Sequence, residues 1–277
     1  MTIIQSNKSR YAGVFLTLAA LTASASDVPS CYAANGLKEP TAERAIFVLI
    51  DQTTLLNAQL KNSVMTNTGN FLKTPGTAFT AASFSAYTQG RYLDVTKTGT
   101  LEPALPDAAR NSTKLKTLDV FDECMKGQRA YGLKTAADAV TQAMAGATAT
   151  LTKSDVQASI RALSDVVRAS PARERVVLIV SDMLENSTVS SFYADWNVRH
   201  IDPKKELAIT KASGMTGNFG GARVYILGAG LLPDSKKGAY RDPKKMDALK
   251  AFWAAYFKSS NADLIEFGQP ALLKEVN

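Results

Sequence analysis

Hydrophobic residues in this chain follow two rhythms. Three short runs are apolar without interruption: residues 45–50 (AIFVLI), 176–180 (VVLIV, followed by Ser181) and 224–227 (VYIL). Runs rich in Val, Ile and Leu with no polar alternation suit strands covered on both faces, as in a parallel sheet. A shorter run, 263–267 (DLIEF), predicts one more strand close to the end of the chain. Between these runs the apolar residues recur at helical spacing. Leu56, Leu60 and Val64 mark a helix over 54–72, and Val156, Ile160, Leu163 and Val167 mark another over 155–169. Leu249, Phe252, Trp253, Tyr256 and Phe257 give the clearest stripe, over 246–258, read as core facing the sheet and not as a cofactor box.

Residues 77–99 differ, with short residues, threonines, serines and aromatics around Gln89-Gly90, a pattern of two strands joined by a hairpin. Residues 100–130, with Pro103, Pro106 and Cys124, predict an irregular crossing with a little helix, and 134–147 predict a helix. The resulting order is strand, helix, two strands, two helices, strand, insertion (184–221), strand, helix, strand. That order predicts an α/β fold: a doubly wound, mostly parallel sheet with helices on both faces and one antiparallel edge strand. Such sheets place their sites at the carboxyl ends of the strands.

The first 25 residues do not belong to that pattern. Lys8 and Arg10 precede an apolar run over 12–23, too short to span a bilayer, that ends in Ala23-Ser24-Ala25. This is the form of a secretory signal peptide cleaved after Ala25, followed by a lead over 26–43 and a domain over 44–277. The expected location is the periplasm or the cell exterior. The 277 residues carry 45% hydrophobic and 21% charged residues, a globular composition. Removing Lys8 and Arg10 lowers the formal charge from +7 to +5. Charges of both signs are interspersed, with no arginine-rich arm or zinc spacing, so nucleic acid is not an expected partner. No second segment is expected to insert into a membrane. In an exported protein the only two cysteines, Cys31 and Cys124, are read as one disulfide.

Candidate chemistry gathers where strands end. Asp51 directly follows the first apolar run and Asp182 nearly follows the second. If those strands are neighbours, two carboxylates lie side by side on one rim. With one histidine, His200, and both cysteines assigned to a disulfide, hard oxygen ligands are what such a rim offers a cation. A capping role stays open beside this: Asp51, Thr53 and Thr54 also suit the start of a helix, as do Ser154 and Asp155.

Asp51-Gln52-Thr53-Thr54-Leu55, Ser154-Asp155 and Ser181-Asp182-Met183 together resemble the metal-ion-dependent adhesion site of von Willebrand factor A domains. The resemblance runs from about Arg44 to Gly268 by element order. It implies a Rossmann-like fold and a magnesium or manganese ion held by Asp51, Thr53, Ser154 and Asp182, with one position left for an acidic residue of a partner protein. Leu55 stands where a third hydroxyl is expected, Met183 where glycine is frequent, and Thr54 is expected to point away from the site.

The insertion carries Phe192, Tyr193 and Trp196, residue types enriched in interfaces, which either bind the partner or pack the insertion onto the body. Asp202-Pro203-Lys204-Lys205 and Asp242-Pro243-Lys244-Lys245 both predict helix starts. No nucleophile elbow, dinucleotide fingerprint or phosphate-binding loop occurs. The sequence therefore predicts an exported, non-enzymatic protein that binds another protein, in a secretion or conjugation assembly of the cell envelope. The alternatives are a metal-dependent hydrolase or phosphatase using Asp51 and Asp182, and a structural subunit whose rim site is vestigial.

Overall fold

The computed structural model describes residues 26–85, 92–148, 153–194, 197–232 and 242–277. The expected signal peptide, the turn at Gln89-Gly90 and Trp196 lie outside these residues.

Six strands form one sheet in the order β3-β2-β1-β4-β7-β8, built from β1 (Arg44–Asp51), β2 (Thr77–Phe84), β3 (Asp94–Leu101), β4 (Glu174–Val180), β7 (Ala222–Leu227) and β8 (Ala262–Phe267). Every pair is parallel except β2 with β3, which is antiparallel at the edge. The strand order reverses at β1 and β4, the point at which sheets of this kind place their sites.

The uninterrupted apolar runs are explained by the two faces. Phe47, Leu49, Val177, Ile179, Val224 and Ile226 point into a core with α5 (Val156–Ala169) and α7 (Pro243–Ser259), where Trp253, Tyr256 and Phe257 are fully buried. Their neighbours Ile46, Val48, Ile50, Val176, Leu178 and Val180 point the other way, against α2 (Ala58–Phe71) and α4 (Leu115–Ala145). Alternate residues of one strand thus enter different cores, and both must be apolar. In the insertion lie the two-residue strands β5 (Tyr193–Ala194) and β6 (Asn197–Val198) and the helix α6 (Pro203–Ala212). Both Asp-Pro-Lys-Lys stretches begin helices as expected, with Asp202 and Asp242 accepting first-turn N–H bonds.

Two expectations are corrected. The crossing over 100–130 is largely helical: α3 (Asp107–Ser112) precedes α4, which runs unbroken through the helix expected at 134–147. The first half of α4 is held from outside itself, by the disulfide between Cys31 and Cys124 and by Phe121, which meets Tyr32 edge to face at 4.9 Å. The short α1 (Cys31–Ala34) and the rest of the lead are thereby strapped to α4. The helix expected from residue 54 starts instead at Ala58, capped by the Asn57 side chain, which accepts from Leu60 N–H at 2.9 Å. That frees residues 52–56 to form a rim loop after Asp51. No helix among the described residues is long and apolar enough to cross a membrane.

Candidate functional site

Pairing of β1 with β4 sets Ile50 opposite Val180, so the chains leaving both strands meet above the sheet. Asp51 and Asp182 are brought together there, at 1% and 4% exposure. One oxygen of Asp51, Oδ1, accepts from the Thr53 N–H (2.8 Å) and from Thr53 Oγ1 (2.6 Å). The other, Oδ2, accepts from Ser181 Oγ at 2.7 Å, and Ser181 Oγ in turn accepts from the Met183 N–H. Asp182 Oδ1 accepts from the Leu184 N–H at 2.8 Å, and Oδ2 accepts from the Tyr193 hydroxyl. Asp51 is therefore no helix cap; its bonds organise the rim loop.

Thr54 departs from expectation. It is buried, and its Oγ1 accepts from the Asp182 N–H at 3.0 Å while also bonding to Asp51, so it ties the two strand ends together. Leu55 is the residue that points outward, at 48% exposure. The turn after Asp182 is tight. Met183 takes a left-handed conformation (φ 60), the geometry that glycine adopts most easily, and is held by full burial and by Trp253 Nε1 donating to its carbonyl at 3.0 Å. Gly228, after β7, lies so close that a Cβ would stand 3.0 Å from Ser181 O, and Gly230 N–H donates to Asp182 O.

Ser154 sits on the same side of the molecule, through a two-way backbone pairing with Asn186, four residues beyond Asp182. Its Oγ is buried and has no partner. Asp155 holds the cap position of α5, and the Gln157 N–H of its first turn donates to the Glu185 carboxylate at 2.8 Å. Phe192 offers no outward surface. It is fully buried, edge to face with Phe252 at 5.0 Å and Trp253 at 6.4 Å, and so fastens the insertion to the core. Tyr193 faces inward to Asp182. Neither forms an exposed partner surface.

The electrostatics are those of a crowded acid pair. Burial raises the pKa of Asp51 against the pull of the Thr53, Ser181 and Thr54 hydroxyls. Burial and then the neighbouring Asp51 charge raise that of Asp182, against the bonds from Tyr193 and Leu184. Among the described residues every donor to this pair is a hydroxyl or a backbone N–H, and no cationic side chain is among them. Like charges in a low-dielectric setting take up a proton or a cation. Glu185 is pushed up to about 7 by burial and by Asp155, against the Ser187 hydroxyl and the Gln157 and Val156 N–H groups.

The residues fit a hard divalent cation. Two carboxylates and the hydroxyls of Thr53, Thr54, Ser181 and Ser154 are all oxygen donors, and the orphaned Ser154 Oγ is a buried polar atom in want of a partner. Among the described residues no group of three or more His, Cys, Asp and Glu side chains is placed to hold a metal, so hydroxyls and water must complete any coordination sphere. The signals missed in the sequence were Ser181, which donates across to Asp51 from the neighbouring strand end, and Thr54, whose direction depends on the rim loop's turn.

The strand order, the antiparallel edge strand and the two strand-end acids give a doubly wound α/β architecture with its candidate site at the carboxyl ends of the strands. No family model matches the sequence, and no curated protein does. Among solved structures the chain is similar to an aerotolerance-related membrane protein from Bacteroides fragilis, at 12% identity and a TM-score of 0.36, over 81% of this chain and 92% of that one. It is also similar to the open conformation of the pilus adhesin SpaC from Lactobacillus rhamnosus GG, at 12% identity and a TM-score of 0.35, over 78% of this chain and 30% of the adhesin. The fold assignment rests on the topology and rim geometry above.

Proposed function

We propose that this is an exported, non-enzymatic binding protein of a cell-envelope assembly, which holds an acidic residue of a partner protein at the Asp51–Asp182 rim through magnesium or manganese. The observation that carries the reading is the buried acid pair at the switch point, bonded only by hydroxyls and N–H groups. A divalent cation bound there supplies positive charge and a coordination position open to one more carboxylate. Asp51 and Asp182 provide the negative charge, Thr53 and Ser154 the neutral oxygens, and Thr54 and Ser181 keep the carboxylates oriented. The disulfide suits an oxidising compartment.

The test is calorimetric titration of the chain from Ser26 with MgCl2 and MnCl2, beside a variant carrying Asp51→Ala and Asp182→Ala. Saturable binding that the variant lacks, together with metal-dependent binding of a short glutamate-rich peptide, is expected. Hydrolysis of p-nitrophenyl phosphate that Asp51→Asn abolishes would replace this reading with a metal-dependent phosphatase. Absence of saturable binding up to millimolar metal would leave the rim a structural fastening.

A further inference from the structure

The insertion reaches back into the rim. Tyr193 donates its hydroxyl to Asp182 Oδ2, the oxygen left over once Oδ1 has taken the Leu184 N–H. The tyrosine is delivered there by contacts that owe nothing to a cation. Phe192, next to it in sequence, is locked between Phe252 and Trp253, and its backbone bonds to Glu185 O and to the Arg199 N–H, each at 2.7 Å. Arg199 pairs with the buried Glu206 and donates Nε to Ser191 O, and Ser190 Oγ donates to Glu206 Oε2 at 2.8 Å. The packed Phe192 ring, the Arg199–Glu206 pair and two backbone hydrogen bonds therefore hold the Tyr193 ring over the site.

We propose that the Tyr193 hydroxyl is an internal competitor for the rim: it fills the place on Asp182 that a cation, or a water of its coordination sphere, would take, so that the insertion sets how tightly the site holds metal. The phenol proton and a cation compete for the same carboxylate charge at Asp182 Oδ2. Where metal uptake displaces the phenol, the free energy of that charge-assisted bond is subtracted from metal affinity. A rim held shut by its own residue would also protect a buried acid pair that lacks a cationic neighbour. The inference rests on the cation reading above and concerns the regulation of the same site.

Tyr193→Phe removes the hydroxyl and keeps the ring. In calorimetry with MnCl2 and MgCl2, this variant is expected to bind about tenfold more tightly than the wild type or better. In urea without metal it is expected to unfold earlier than the wild type, and saturating Mn2+ is expected to reverse that order. An affinity equal to or weaker than the wild type overturns the competition and leaves the cation reading standing. Binding by Tyr193→Phe alone supports the competition and shows the wild-type rim to be closed to metal. No saturable binding by either protein overturns both. A measurement independent of the variant's folding is the near-UV difference spectrum of the wild type on adding metal. Loss of the carboxylate acceptor shifts a tyrosine band if the proposal holds, and a flat difference spectrum at metal saturation contradicts it.

Discussion

Glu102, beneath the N-terminal lead, and Asp182, on the rim, are both buried carboxylates, at 7% and 4% exposure, with both oxygens bonded. Glu102 takes Ser30 Oγ at 2.5 Å on one oxygen and the Cys31 N–H at 2.9 Å on the other, both donors from the segment that the disulfide pins to α4. Asp182 instead faces Asp51 and borrows a hydroxyl from the insertion. The same chemical group thus serves as a fastener in one region and as an unbalanced charge in the other. What separates them is the second carboxylate: Glu102 meets its donors from the lead, whereas Asp182 meets its donors and the Asp51 charge together.

Cutting the strap should have the largest effect and should leave the rim untouched. Replacing Cys31 and Cys124 by serine reopens a loop of 93 residues and is expected to cost about 4–5 kcal/mol in the chain-entropy picture, read as a lower urea midpoint. Mg2+ binding by the protein that remains folded should be unchanged. A parallel loss of metal binding would mean that the two regions are one unit.

The rim should answer to pH where the strap answers to reductant. Glu185 carries a folded pKa of about 7 against an ordinary 4.5. Its protonated form is the one the fold favours, so its contribution is full below about pH 4.5 and is lost as pH rises through about 7. The difference corresponds to about 3 kcal/mol. Urea midpoints between pH 4 and 8 should therefore slope downward more steeply for the wild type than for Glu185→Gln, which keeps an acceptor for the Gln157 N–H without the charge. Equal slopes would assign the pH response to the acid pair alone. The smallest effect on stability is expected at Leu55. Its replacement by serine, at a half-exposed loop position whose side chain points outward, should change stability by no more than ~0.5 kcal/mol, read from the urea midpoint, and leave Mn2+ affinity unchanged. A tighter Mn2+ affinity would show that the rim loop turns residue 55 toward the site when metal binds.

The sheet was legible because β1, β4 and β7 are buried on both sides and cannot be written without continuous Val, Ile and Leu. The two rim acids were legible for the same reason, since each stands where such a run stops. The first half of α4 was not. Its inward residues include Gln128 and Gly132 in place of a leucine stripe, because the helix comes so near β3 that a Cβ on Gly132 would stand 2.4 Å from Leu101 Cδ2. Its remaining support, through Cys124 and Phe121, comes from a segment some ninety residues earlier. The roles of Thr54, Tyr193 and Phe192 were hidden in another way. Each depends on a turn or a hairpin that delivers a side chain across the molecule, and residue type alone carries no direction. Aromatic residues in a long connection suggested an outer surface, whereas Phe192 and Tyr193 are spent holding the connection down.

The span of the disulfide also gives the molecule a timetable. A chain made from its N-terminus at ordinary rates exposes Cys31 roughly 5 to 20 s before Cys124 exists. During that interval β1, α2, β2 and β3 all emerge, and the lone thiol has no lawful partner within its own chain. The bond can close only when the antiparallel edge strand is complete and α4 has begun, so a closed strap certifies that the first half of the sheet has been delivered. Any oxidant that acts earlier joins Cys31 to another molecule.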